Sequence, residues 1–179
     1  MHAQDIIHFW FEALDDKQRF GKDAALDAMM AVRFGELLQA AAKGELFAWR
    51  STPTGRLAEV IVLDQFSRNI YRDSRAAFAQ DAQALALAQE LVASGQDYVL
   101  ERTQRAFAYM PYMHSESALI HAQALALFSQ PGMENSLAYE RRHKAIIDQF
   151  GRYPHRNAIL GRVSSAEELA FLSQPGSSF

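Results

Sequence analysis

The chain has 179 residues, 49% of them hydrophobic and 22% charged, and a formal net charge of -3 from 18 basic and 21 acidic residues. That composition fits a soluble globular domain able to bury roughly 70% of the surface its unfolded chain exposes, and its charge balance gives no reason to expect nucleic-acid binding. It holds no cysteine, which excludes disulfides, thiolate metal sites and a cysteine nucleophile.

The N-terminal MHAQDIIHFWFEALDDK has no basic n-region, and His8 and Glu12 interrupt its apolar patch, so it does not read as a secretory signal. No run approaches the ~20 apolar residues of a membrane span. A cytoplasmic protein without membrane contact is expected. The spacing predicts a first helix over 5–14, capped by Asp5, with Phe9, Trp10 and Phe11 in the core. Asp15 and Asp16 read as a solvated loop. Asp23 caps a long helix over 23–43, closed by Gly44. Another helix starts near Pro53 or Thr54. The Ala-rich stretch 74–94 is helical up to Gly95, and 101–109 forms a helix stopped or kinked at Pro111.

Helices over 115–128 and 134–150 follow, the second ended by Gly151. Tyr153-Pro154 forces an extended turn, because the residue before proline avoids the α region. Ser164 and Ser165, followed three residues later by Glu167 and Glu168, form a capping-box pattern for a last helix ending near Leu172. Residues 174–179 read as a frayed tail. Period-2 alternation is scarce, so the fold class is all-α: a single compact multi-helix domain over 1–179. AQALAL recurs at 82–87 and 122–127, through a helical repeat or through chance in an Ala-rich chain. Trp10 and Trp49 read as core.

Three blocks could carry chemistry. In EVIVLDQFSRNIYRD (59–73), Val60 to Leu63 point in four directions, so the helix is buried nearly all round. Asp64 and Arg68 are spaced i,i+4 with the acid first, the favourable order for a pair, and Arg72 continues the flank. A charge beside a buried run must be paired. The pair therefore either ties helices together or holds Arg68 or Arg72 towards a pocket.

In YMPYMHSESALIHAQ (109–123), a break at Pro111 would put His114 and Glu116 at a helix N-terminus, where backbone N–H groups favour anions. His121 follows two turns on. The spacing is not HExxH, so polar core contacts are expected and a metal is not.

The third block, FGRYPHRNAILGR (150–162), ends a segment from Arg141 that holds six Lys/Arg and one Asp. Arg152, His155, Arg156 and Asn157 should project from a stiff connection, with Arg162 just beyond and His143 one helix earlier. Guanidinium forks suit phosphate and carboxylate, and imidazole can move protons near neutral pH. Arginines at helix ends also satisfy orphan carbonyls, a purely structural use.

With these blocks in view the chain resembles the bacterial domain of unknown function 924 family. The matching stretches are LDQFSRNIYRDSRAAFAQD, FAYMPYMHSES and RHKAIIDQFGRYPHRNAILGR with the following SSAEE, together with Trp10-Phe11. The resemblance covers nearly the whole chain. It implies an all-helical, tetratricopeptide-repeat-like fold of stacked antiparallel helices, and it supplies no reaction. The polar residues it matches are Asp64, Gln65, Arg68, Asn69, Arg72, His114, Glu116, His143, Arg152, His155, Arg156, Asn157 and Arg162. No tetratricopeptide consensus is visible.

The reading favoured here is a small-molecule site for an anionic phosphate or carboxylate compound. Asp64, Gln65, Arg68, Asn69, Arg72, His143, Arg152, Arg156, Asn157 and Arg162 are its ligand-binding candidates. His114 or His155 would be the acid/base, oriented by Glu116 or Asp64. It requires Arg68, His114 and Arg156 to converge on one concavity. The alternative is a helical module for a protein partner, its polar blocks serving as ion-pair networks, which requires an exposed apolar patch. RNA binding would rest on the basic segment, with Tyr139 and Tyr153 stacking bases. Nucleotide-loop and nucleophile-elbow motifs are absent, and no cofactor is expected.

Overall fold

The computed structural model describes residues 1–177. Every regular element among them is helical. Helix α1 (Ala3–His8) begins before Asp5, because the His2 N–H donates to Asp5 Oδ2 at 2.7 Å and makes Asp5 part of the first turn. A π-turn, Phe9–Ala13, continues it and buries Phe9 and Trp10. The acidic pair is no loop. Asp15 accepts from the Gln18 N–H at 2.8 Å and caps α2 (Asp16–Phe20). Asp23 caps α3 (Ala24–Ala42), accepting from the N–H groups of Ala25 and Leu26.

The Thr52 hydroxyl accepts from Gly55 N–H at 3.1 Å and opens α4 (Pro53–Ile61). This helix runs through a second π-turn, Val62–Phe66, into α5 (Ser67–Ile70). Residues 57–67 are all buried, because α1, α6 and α7 pack against α4 and α3 covers its continuation. Arg72 lies beyond the helix, since Tyr71 leaves the helical conformation.

Three boundaries differ from the sequence expectation. The Ala-rich helix α6 spans Asp81–Ala93, not 74–94, because a 3₁₀ turn over Arg75–Phe78 first brings Phe78 against Arg68 and Arg156. Helix α7 (Arg102–Met113) passes through Pro111, whose ring is buried in the last turn, where proline removes a single helical hydrogen bond. Helix α8 (Ala118–Phe128) starts only after Ser117, so His114 closes α7 and Glu116 lies in the connection.

Helix α9 (Glu134–Phe150) ends at Gly151, whose φ of +67° suits glycine. Tyr153 is extended before a 3₁₀ turn, Pro154–Arg156. Then come α10 (Asn157–Leu160) and α11 (Ala166–Leu172). In α11 Ser165 and Glu168 exchange capping bonds of 3.1 and 2.7 Å. Ser177 donates its hydroxyl to the Leu172 carbonyl at 3.2 Å. The rest of the frayed-tail expectation, residues 178 and 179, lies outside the described residues.

The main core joins α1, α3, α4, α6, α7 and α8. A smaller cluster of Ile146, Ile147 and Tyr153, with Phe150 and Phe171, seats the C-terminal segment on α9. The two AQALAL stretches lie on α6 and α8, and both bury the same alanine, Ala84 and Ala124. Trp10 is fully buried and Trp49 packs against the core. Among the described residues no helix is long and apolar enough to cross a membrane.

Candidate functional site

The site begins at the π-turn after α4. A π-turn holds an extra residue in the helical winding and often marks a functional position. Here it carries Asp64, whose side chain is 1% exposed. Asp64 Oδ1 lies 2.7 Å from His114 Nδ1 and 3.0 Å from Arg68 Nη1, and the Gln65 amide donates to the other oxygen. Burial alone would raise the Asp64 carboxyl. The charge of Arg68 and the hydrogen bonds from His114 and Gln65 outweigh it and hold the carboxyl well below the usual range. Burial and the Arg68 charge lower His114, against the pull of Asp64. The pair at neutral pH is a carboxylate and a neutral imidazole.

Arg68 extends this cluster to α6. It forks onto Asp81 at 2.9 and 3.1 Å and donates to the Asp64 carbonyl at 2.8 Å. Arg156 reaches the same Asp81 carboxylate at 3.1 Å and the His114 carbonyl at 3.0 Å. Its guanidinium lies over the rings of Phe78 and Tyr153, each 4.6 Å from the ring centroid. Arg68, His114 and Arg156 thus come together although α4–α5, α7 and the C-terminal segment supply them separately.

The other arginines of FGRYPHRNAILGR do not project. Arg162 forks onto Glu116 at 2.6 and 2.9 Å, and Glu116 also accepts the Tyr153 N–H at 2.7 Å. These donors outweigh burial and lower the Glu116 carboxyl. Asn157, fully buried, accepts from Arg162 at 2.9 Å and donates to Ser164 at 3.0 Å. Arg152 forks onto Glu168 at 2.7 and 2.8 Å and bonds the Val163 carbonyl at 2.9 Å. Both arginines brace the last helices, because α11 and the α7–α8 connection hold carboxylates within their reach. Asn69 and Arg72 turn the opposite way, to Asp27 on α3, with contacts of 2.5 to 2.9 Å.

Three further histidines, His121, His143 and His155, surround Tyr153. This tyrosine is 1% exposed, donates to the Met113 carbonyl at 2.5 Å and cannot stack a base. His143 meets its ring nearly edge-on, with centroids 5.7 Å apart, and burial pushes the imidazole down to about 3. His155 lies against the same ring at 5.4 Å and is pushed by burial to about 4, which keeps the imidazole neutral near neutral pH. His121 pairs with buried Glu140 at 2.7 Å and does not join His114 and Glu116. No group of acidic residues and histidines able to hold a metal occurs among the described residues. The carboxylate hydrogen-bonded to His114 is not that of Glu116. That position belongs to Asp64.

A cavity of about 560 Å³ opens onto this cluster. Phe78, Leu85, Pro111 and Leu160 form its apolar wall, and Asp81, His114, Glu116 and Arg156 its polar one. Arg75, exposed at the edge, donates to the Leu160 carbonyl at 2.8 Å. Sequence reasoning missed Phe78, Asp81 and Arg75. All three stand in RAAFAQD, but a continuous helix from residue 74 hid the turn that gathers them. The cavity lining carries two guanidiniums, Arg75 and Arg156, and two carboxylates, Asp81 and Glu116; Arg68, Arg156 and Arg162 engage those carboxylates, and Arg75 bonds a carbonyl instead.

Residues 6–176 match the model of a family described as bacterial protein of unknown function, DUF924. No curated protein sequence matches the chain. Among solved structures the chain is similar to the protein of unknown function ATU0120 from Agrobacterium tumefaciens, with 36% identity, 96% of each chain covered and a TM-score of 0.90. The chain belongs to the DUF924 family of bacterial proteins.

Proposed function

We propose that in this DUF924 protein the cavity binds a small molecule with an anionic head, a carboxylate or phosphate, and an apolar body. The observation that carries this is Arg75: an exposed guanidinium at the cavity edge whose hydrogen bond goes to a carbonyl, while the cavity's carboxylates are engaged by other arginines. Phe78, Leu85, Pro111 and Leu160 would take the apolar body. The volume suits a drug-sized ligand. Arg156 in the wall, and Arg68 and Arg162 behind it, are engaged by carboxylates, so Arg75 would meet the anion.

Thermal shift with hexanoate, benzoate, phosphate and, as the opposite charge, hexylamine tests this on wild type and Arg75→Gln. A ligand at 100 times its Kd stabilises the fold by about 2.7 kcal/mol, a shift of several degrees. An anion should give that shift, hexylamine should not, and Arg75→Gln should weaken the response about tenfold. No response to any anion, or an equal one to hexylamine, would contradict the reading. A second reading, a module for a protein partner, draws on the same pairing, since carboxylates already meet the three inner arginines. No thermal shift with any of these probes would favour it.

A further inference from the structure

We propose that His114 is the proton acceptor of this cavity, taking a proton on Nε2 as a carboxylic acid binds, with Asp64 and Arg68 as its positioning residues. The proposal rests on the anion-site reading and adds the proton to it. An ionised Asp64 can only accept, so the hydrogen bond of 2.7 Å makes His114 Nδ1 the donor. The neutral ring then carries its lone pair on Nε2. His114 lines the cavity and Asp64 does not, and their side chains are 16% and 1% exposed. The ring edge turned from Asp64 is therefore the one at the cavity.

The charges around this ring come from several elements. Arg68 shares Asp64 Oδ1 with His114 and opposes a positive imidazole, Asp64 and Asp81 favour one, and Arg156 grips the His114 carbonyl. Asp81 on α6 bonds both of those guanidiniums. Glu116 beside it is engaged by Arg162. His143, from α9, is neutral, and a charge on His114 would act on it. A bound carboxylate changes this balance. The imidazolium would lie between two anions, Asp64 and the ligand. The acid's O–H bond breaks and Nε2–H forms, leaving a carboxylate and an imidazolium with no redox change. The same event in neutral solution is binding of the carboxylate with uptake of a proton from water. A π-turn, not a plain helical turn, holds Asp64 under His114, and such turns recur at functional positions.

The test has two parts on the full chain. Nitrogen-15 NMR of the ligand-free protein reads the tautomer without any ligand. The expected state between pH 6 and 8 is Nδ1 protonated and Nε2 bare, and Asp64→Asn should shift the proton towards Nε2. A resting Nε2–H tautomer or imidazolium would overturn the proposal. Calorimetry with benzoate in two buffers of different ionisation enthalpy then counts protons. Uptake should approach about one proton per benzoate and vanish in His114→Gln. Benzoate binding without uptake, or uptake retained in His114→Gln, would overturn it. If benzoate does not bind at all, the anion-site reading fails while the tautomer still decides on His114.

Discussion

Arg156 and Asp81 are 75 residues apart in the chain and bonded at 3.1 Å in the fold. Arg68 shares the same carboxylate, so one acid at the start of α6 joins the central helix to the C-terminal segment. Position 156 is thereby a brace first and a cavity wall second. Its side chain is 8% exposed, and removing one partner of a buried pair is costly. Arg156→Ala should lose about 3 kcal/mol, a drop in Tm of roughly 6–12 °C. Arg156→Lys keeps the charge but loses the fork and the two ring contacts, and should fall between. Thermal denaturation checks both. An Arg156→Ala variant as stable as wild type would refute the brace.

Arg72 separates structure from site. It and Asn69 hold Asp27, away from the cavity. The Arg72 side chain is 26% exposed, so its pair with Asp27 is partly screened. Arg72→Ala should cost about 1 kcal/mol in chemical denaturation. Its affinity for cavity probes should equal that of wild type.

Stability should fall on acidification from neutral pH. Burial lowers His114, His143 and His155, the last two to about 3 and 4. The same imidazoles in the unfolded chain protonate near pH 6.5. Between those values the unfolded state binds more protons, so each group removes up to about 1.4 kcal/mol per pH unit as pH drops. Below about 4.5 the lowered carboxyl of Glu116 adds to the loss, because its pair with Arg162 breaks on protonation. Denaturant titrations from pH 7 to 4 should show this decline, and His143→Gln should flatten it by about one proton.

Gly55 packs so closely that a Cβ there would meet the Trp49 carbonyl oxygen. Alanine is normally the better helix former by about 1 kcal/mol. Gly55→Ala should nevertheless destabilise the fold by about 2 kcal/mol, because α4 must move away from the Trp49 turn. A stabilised variant in thermal denaturation would contradict that packing.

The fold class, the long helices over 24–42 and 134–150 and the last capping box could be read directly, because periodicity and capping are local signals. Asp64 with Arg68 was readable from i,i+4 spacing. The partners that give the site its character were not. Asp81 answers Arg68 and Arg156 across 13 and 75 residues, and Glu116 answers Arg162 across 46. Pairings of that range depend on how helices stack, which leaves no mark on neighbouring residues. The α7 and α8 boundaries were misplaced for a related reason. Pro111 is tolerated where its ring is buried in the last turn, and that moved His114 from an expected helix start to a helix end beside Asp64.

The central claim is that the cavity takes an anion with an apolar body. Its most direct test is a calorimetric titration of benzoate at pH 7 into wild type and Leu85→Trp. The larger side chain fills the cavity from its apolar wall and leaves every charged residue of the lining in place. Binding to wild type that disappears in a folded Leu85→Trp is the predicted result. Equal benzoate binding by the two proteins would place the anion elsewhere and contradict the account.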